Sequence, residues 1–226
     1  MTDNSPPRIR AVVFDLDGLM LNTEDVFDLA GKKLLARRGL RMTDEIHRAM
    51  LGRRPDEAFQ AMKDHSGITD EIQALKDETR ELFSEFAKDH LAVMPGLREV
   101  LTLVDSRGLP RGVATSSPRD YMVTLLSRFG LLDGFSVTLT AEDVIHGKPN
   151  PEIYRKAAAQ LNVSPSETLV LEDSETGTRA AAAAGTYAVS VPNQHTRHGD
   201  FAMASLQIES LNDPKLHQII REGISA

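Results

Sequence analysis

An α/β fold, an open parallel sheet interrupted by a helical insertion, follows from two textures in the 226-residue sequence. From about residue 92 onward, short β-rich runs alternate with helical patterns, and that alternation predicts parallel strands joined by crossover helices. A further buried-strand run, "RAVVFD" at 10–15, lies on the far side of a block that reads as helix throughout. One sheet, split in sequence between its first strand and the rest, accounts for both. The α/β core is then expected from 1–22 and 92–226, with a small helical domain at 23–91. The length is enough for a sizeable core with a second, smaller domain.

The elements can be taken in order. After the first strand, Asn22 and Thr23 can cap a helix, and "EDVFDLAGKKLLARRG" places apolar residues at 26, 29, 30 and 34 before stopping near Gly39. "DEIQALKDETRELFSEFAKDH" puts Ile72, Leu75, Leu82, Phe83 and Phe86 on one helical face. Strands are then expected at 111–115, 136–140, 168–173 and 187–192. Ser117-Pro118 with Asp120 reads as a helix start, with a capping hydroxyl, a proline in the first turn and an acid near the positive end. Asn150-Pro151-Glu152 has the same form, and Gly130 can close the helix that begins after Ser117. "AAAAAG" at 180–185 is a helix end with Gly185 in the cap position.

Composition narrows the function classes. With 26 basic and 33 acidic side chains, the net charge of -7 gives no general attraction to nucleic acid or to anionic membrane. An anionic substrate therefore needs a local cationic site. The absence of cysteine excludes disulfides, thiolate zinc sites and a cysteine nucleophile. The N-terminal "MTDNSPPRIR" lacks the apolar segment of a secretory signal, and no apolar run approaches the roughly 18 residues of a membrane span. A soluble, cytoplasmic protein is expected.

The chemistry begins at "VVFDLDGLMLN" (12–22), where two acids, Asp15 and Asp17, sit against apolar sequence. An isolated D-x-D-G is ordinarily a solvated turn. A calcium loop also opens D-x-D, but its later ligand and glycine positions are here Leu19, Met20 and Val26. In an open parallel sheet ligands bind beyond the carboxyl ends of the strands. Asp15 and Asp17 come after the first strand, and Thr115, Ser116 and Ser117 after the second. Glu172 ends "TLVLE", with Asp173 next to it, and Lys148 comes a loop after "SVTLT". Four carboxylates, a hydroxyl cluster and a lysine are thus expected on one rim. Crowded carboxylates repel unless a cation holds them, and hard oxygen donors suit Mg²⁺. Such a set also serves phosphoryl chemistry, with a carboxylate as a possible nucleophile. The histidines at 47, 65, 90, 146, 195, 198 and 217 form no H-E-x-x-H, and His195 and His198 read as a polar loop. No G-x-S-x-G, Walker or G-x-G-x-x-G motif is present.

"FDLDG", "VATSS", "GKPNPEIY" and "LVLEDSETG" resemble, in order and spacing, the four motifs of the haloacid dehalogenase superfamily. The helical block resembles its type-1 cap, and the subgroup it is most similar to is that of β-phosphoglucomutases and sugar phosphatases. The resemblance implies a Rossmann-like core with an inserted helical cap, and an Asp15 that attacks phosphorus and becomes transiently phosphorylated. It implies that Asp17 protonates the leaving oxygen and then activates water, its carbonyl binding Mg²⁺. Thr115 and the Ser116 N–H would hold phosphoryl oxygens, with Ser117 a further substrate-binding residue. Lys148 would neutralise charge, and Asp173, assisted by Glu172, would bind Mg²⁺. An acid at Asp17 implies a phosphatase or phosphomutase, since family dehalogenases lack one there.

The expected substrate is a small phosphorylated metabolite. Mutases of the subgroup carry a cap histidine where this sequence has Phe27, and an arginine near what is here Pro55. Both departures favour hydrolysis, with Arg53 or Arg54 as substrate reader. Two other classes compete. A phospho-receiver domain lacks the second acid and the insertion, whereas a catalytically silent phosphate-binding relative would not need the full set of turnover residues.

Overall fold

In the computed structural model, which describes residues 9–50 and 55–222, the apolar run before the paired acids is a fully buried strand, β1 (Ala11–Phe14). Contacts divide the chain into two units, Met1–Leu21 with Val93–Ala226, and Asn22–Ala92.

The second unit holds α1 (Thr23–Ala36), α2 (Asp44–Met50), α3 (Pro55–Ser66) and α4 (Ile72–His90). The 3.6-residue spacing does what it predicts: Ala30, Leu34, Leu75 and Leu82 are buried in one cluster with Ile46 and Met62. Asn22 does not cap α1 with its side chain. Its amide accepts from Ala92 N (2.7 Å) and donates to His90 O (3.2 Å), clasping the two ends of the helical unit together. Arg38 donates to both Asp70 (2.6 Å) and Glu78 (2.8 Å), which hold its guanidinium above the ordinary arginine range.

In the first unit the chain continues through α5 (Leu97–Ser106), β2 (Arg111–Ala114), α6 (Arg119–Arg128), β3 (Val137–Leu139), α7 (Glu152–Gln160), β4 (Thr168–Glu172) and α8 (Glu175–Ala184). It ends with β5 (Tyr187–Ser190), β6 (Leu206–Gln207) and α9 (Pro214–Glu222). All strands pair in parallel, in the order β3-β2-β1-β4-β5-β6. The fold is thus the parallel α/β sheet that the strand–helix alternation predicts, in the Rossmann-like form that the family resemblance implies. One sheet face packs on α7 and α8 through Val13, Val170, Tyr154, Ala157, Ala180 and Ala181. The small residues of α8 let its backbone lie close to the sheet. Gly185 terminates α8 in the left-handed conformation (φ 82°), as the sequence predicts.

The order in which strands are added reverses between β1 and β4: β2 and β3 lie on one side of β1, and β4, β5 and β6 on the other. That is the position at which an open sheet splays its strand ends and leaves a crevice. Register makes the edge level, because Phe14 pairs with both Val113 and Leu171. The next residues along, Asp15, Ala114 and Glu172, therefore arrive at the carboxyl edge together. No described helix is long and apolar enough to cross a membrane.

Candidate active site

Asp15 leaves β1 with its N–H bonded to Leu171 O (3.0 Å), and its side chain is almost fully buried. Lys148 meets it there. The ammonium donates to Asp15 Oδ1 (2.6 Å), Glu172 Oε1 (2.6 Å) and Ala114 O (3.0 Å), which uses its three protons, and it lies 5.0 Å from the centre of the Tyr154 ring. Burial alone would push Lys148 toward neutrality, but Asp15 and Glu172 outweigh it and hold its pKa well above the ordinary lysine value. For Asp15 the balance runs the other way. Burial pushes its carboxyl well up, Lys148 only partly counters this, and Glu172 and Asp17 add to it.

Glu172 is fixed from every side. Tyr154 O–H donates to Oε1 and Ser174 O–H to Oε2 (3.1 Å). Burial and the adjoining Glu172 carboxylate raise the Tyr154 phenol, so it remains a donor. Beneath Glu172 lies Gly177 of α8, where an added Cβ would coincide with the carboxylate. Gly177→Ala is therefore expected to displace Glu172 and disorganise its contact with Lys148. The expected stability loss is about 1–3 kcal/mol, as for an overpacked core, and thermal unfolding alongside turnover measures both. Unchanged values for both would mean that Glu172 is not held in this way.

Lys148 reaches the site from the loop after β3, which is itself fastened. Glu152 accepts from Ile145 N (3.1 Å), His146 N (2.9 Å) and Lys156 Nζ (2.7 Å). The Lys156 ammonium, then the His146 and Ile145 N–H groups, hold its carboxyl down at about 2. Asn150 Oδ1 accepts from Glu152 N (3.0 Å) in an Asx-type turn, but Pro151 occupies the N-cap of α7 and no side chain caps it, so the helix start expected at Asn150 is not a side-chain cap.

Asp17, two residues on from Asp15, stands in different surroundings. Its carboxylate accepts from Ser117 Oγ (2.6 Å), Thr115 Oγ1 (3.2 Å) and Tyr121 O–H (3.1 Å). The expectation that the Ser117 hydroxyl caps the following helix is not met. Pro118 occupies the N-cap, Arg119 N is taken by Glu142 Oε1 (3.1 Å), and Ser117 spends its hydroxyl on Asp17. The charged partner 100 residues away outcompetes the local N–H. Ser116 lies exposed between Thr115 and Ser117.

Asp173 completes the rim. Its Oδ2 accepts from Asn193 Nδ2 (2.9 Å), and the same amide donates to Gly18 O (3.1 Å). Gly18 (φ 74°) could carry no side chain, because a Cβ would strike the Asp173 carboxylate. Asp15, Glu172 and Asp173 each offer an oxygen, all within 4.8 Å of one another, and all three residues are buried. Three buried carboxylates with carbonyl oxygens nearby fit a hard cation of the Mg²⁺ kind. Because Lys148, Tyr154 and Ser174 already engage Glu172, Asp15 and Asp173 are the better placed ligands of the three.

The structure thus brings together Asp15, Asp17, Thr115, Ser117, Lys148, Glu172 and Asp173, whereas Arg53 and Arg54 lie outside the described residues. Phe27 is 38 % exposed and stacks on Phe83 within the helical unit, ring centres 4.4 Å apart. Sequence reasoning missed Tyr121, Tyr154 and Asn193. Tyr154 lies inside "GKPNPEIY", whereas Tyr121 and Asn193 carry no local signal.

A family model described as haloacid dehalogenase-like hydrolase matches residues 12–191, from β1 to the end of β5. The chain belongs to that family. The hydrolase is 35% identical over 188 residues to a validoxylamine A 7'-phosphate phosphatase from Streptomyces hygroscopicus subsp. limoneus, covering 82% of this chain and 87% of that protein. It is 33% identical over 181 residues to a phosphorylated carbohydrates phosphatase from Thermotoga maritima, covering 78% and 82%. Among solved structures, a putative β-phosphoglucomutase from Thermotoga maritima superposes with a TM-score of 0.81 at 28% identity, over 95% of this chain and 99% of that one.

Proposed function

We propose that this hydrolase is a Mg²⁺-dependent phosphatase acting on a small phosphorylated metabolite through a phosphoaspartate on Asp15. The observation that carries the reading is the unlike settings of the two neighbouring acids. Asp15 is buried with the Lys148 ammonium against its carboxyl, the counter-charge an attacking carboxylate needs, while Asp17 is held aside by three hydroxyls and is assigned the acid–base role.

In the first half-reaction an Asp15 oxygen forms a bond to phosphorus as the bond from phosphorus to the ester oxygen breaks. Asp17 gives its proton to the departing alkoxide. In the second, water attacks the phosphoaspartate, Asp17 takes the water's proton, and inorganic phosphate leaves with the Asp15 carboxylate restored. Thr115 and the Ser116 N–H donate to the phosphoryl oxygens. Lys148, fixed by Glu172 and Tyr154, places positive charge beside the nucleophile. Asp15, Asp173 and the Asp17 carbonyl, with Glu172 assisting, would hold a Mg²⁺ ion, which would supply neutralisation of the phosphoryl charge. The helical unit is assigned the role of substrate-reading cap, with Arg53 and Arg54 as the first residues to test.

Relatives named as a phosphorylated carbohydrates phosphatase and a validoxylamine A 7'-phosphate phosphatase support a phosphorylated carbohydrate as the first substrate class to test. Phosphate release from a panel of sugar phosphates, nucleotides and phosphoglycolate is expected with Mg²⁺ and is expected to vanish with EDTA. Release that survives EDTA would overturn the cation requirement. Conversion of β-glucose 1-phosphate to glucose 6-phosphate with a bisphosphate primer, without net release, would replace hydrolysis by a mutase. Phe27, where mutases of the subgroup carry their histidine, argues for hydrolysis.

A further inference from the structure

Asn193 lies after β5 in a loop that shares no sequence neighbourhood with the motifs of the site, yet its side chain joins two of them. Its amide nitrogen donates to Asp173 Oδ2 (2.9 Å) and to Gly18 O (3.1 Å), so each of its two hydrogens has an acceptor. The other end of the amide is committed as well. Oδ1 accepts from His195 N (2.8 Å) and Thr196 N (3.2 Å), and Asn193's own N–H donates to Thr196 Oγ1 (3.0 Å). With Oδ1 turned toward two backbone donors, the nitrogen can face only the carboxylate and the carbonyl, which fixes the orientation of the amide. A turn of the Asx type is therefore the clamp, and the Asp173 carboxylate is what it grips.

The approach is close. A Cβ on Gly18 would come within 2.8 Å of Asn193 Nδ2 and would strike Asp173. The loop after β1, the end of β4 and the loop after β5 are thus pinned at one point. Partners of metal-ligating carboxylates set the plane and direction of the ligand oxygens, and removing such a partner typically costs metal affinity or activity.

We propose that Asn193 is a positioning residue for the cation site: it orients the Asp173 carboxylate and ties it to the Gly18 carbonyl, and so sets the affinity for the divalent ion. The proposal rests on Asp173 being a metal ligand. It contains no role for Asn193 at the substrate or at the reacting phosphorus.

Two variants separate the clamp from the turn. Asn193→Ser retains a hydroxyl that can accept from the N–H groups of residues 195 and 196 but cannot reach Asp173, whereas Asn193→Ala removes both functions. Mn²⁺ binding to the metal-stripped full chain is followed by calorimetry, unfolding is followed in EDTA, and phosphate release is followed against Mg²⁺ concentration. Asn193→Ser is expected to unfold like the parent in EDTA, to bind Mn²⁺ roughly 10- to 100-fold more weakly, and to recover turnover as Mg²⁺ is raised. Equal Mn²⁺ affinity in the parent and both variants would overturn the proposal, as would a turnover loss that Mg²⁺ does not rescue. A parent that binds no Mn²⁺ would instead remove the metal reading itself, and with it this one.

Discussion

Asp15→Asn is expected to eliminate phosphate release, with kcat falling on the order of 10⁴-fold or more. The substitution keeps the shape of the side chain and removes its charge, so the oxygen that would attack phosphorus no longer carries an electron pair fit for the task. The protein should stay folded. Burial already penalises the charged form of Asp15, and an amide in its place relieves that penalty while giving up one contact to Lys148, which keeps Glu172 as counter-ion. The measurement is phosphate release under saturating Mg²⁺, with thermal unfolding on the same sample. If the folded variant turned over within a factor of about ten of the parent, no covalent phosphoaspartate could lie on the path. Loss of turnover together with continued phosphate binding would separate the missing nucleophile from a missing pocket.

The parts of this site that could be read from the sequence are those whose meaning is local. Asp15 comes directly after an uninterrupted apolar run, Gly185 after a helix of alanines, and Asn150 precedes a proline; each is recognisable from its immediate neighbours. The topology rule then carries the strand-end residues to one rim without coordinates, because parallel strands share a carboxyl edge. The features that escaped are long-range. Ser117 has the spacing of a cap but spends its hydroxyl on Asp17, and nothing near it in the chain announces that partner. Tyr154 sits in a recognised motif, but its phenol becomes meaningful only when α7 lays it against Glu172. Asn193 lies in a stretch that reads as polar loop. The short β6, two residues long, offers no periodicity at all.

The Lys148 pairing leads to the second large effect, which falls on stability as well as on turnover. Lys148→Met preserves most of the side chain's volume and deletes its charge, leaving Asp15 and Glu172 buried with no cation between them. Removing one partner of a buried ion pair costs about 3–5 kcal/mol, because the remaining charge is desolvated and uncompensated. For a chain of this size that lowers the unfolding midpoint by on the order of 10 °C. The direction with pH comes from the same burial. Burial already raises Asp15 in the parent, and without Lys148 its folded pKa rises further above its unfolded value near 4. Between those two values the folded state binds more protons than the unfolded one, so stability falls as pH rises through the window. Lys148→Met should therefore lose least against the parent at about pH 5 and most at about pH 8, when both are measured by thermal unfolding in EDTA. A deficit that stayed constant across that range would mean that the lysine stabilises by packing and not through the charge of its carboxylate partners. A deficit that shrank with rising pH would overturn the reading that loss of Lys148 raises the Asp15 pKa further. Turnover should be lost at every pH, since the positive charge beside the nucleophile is gone throughout.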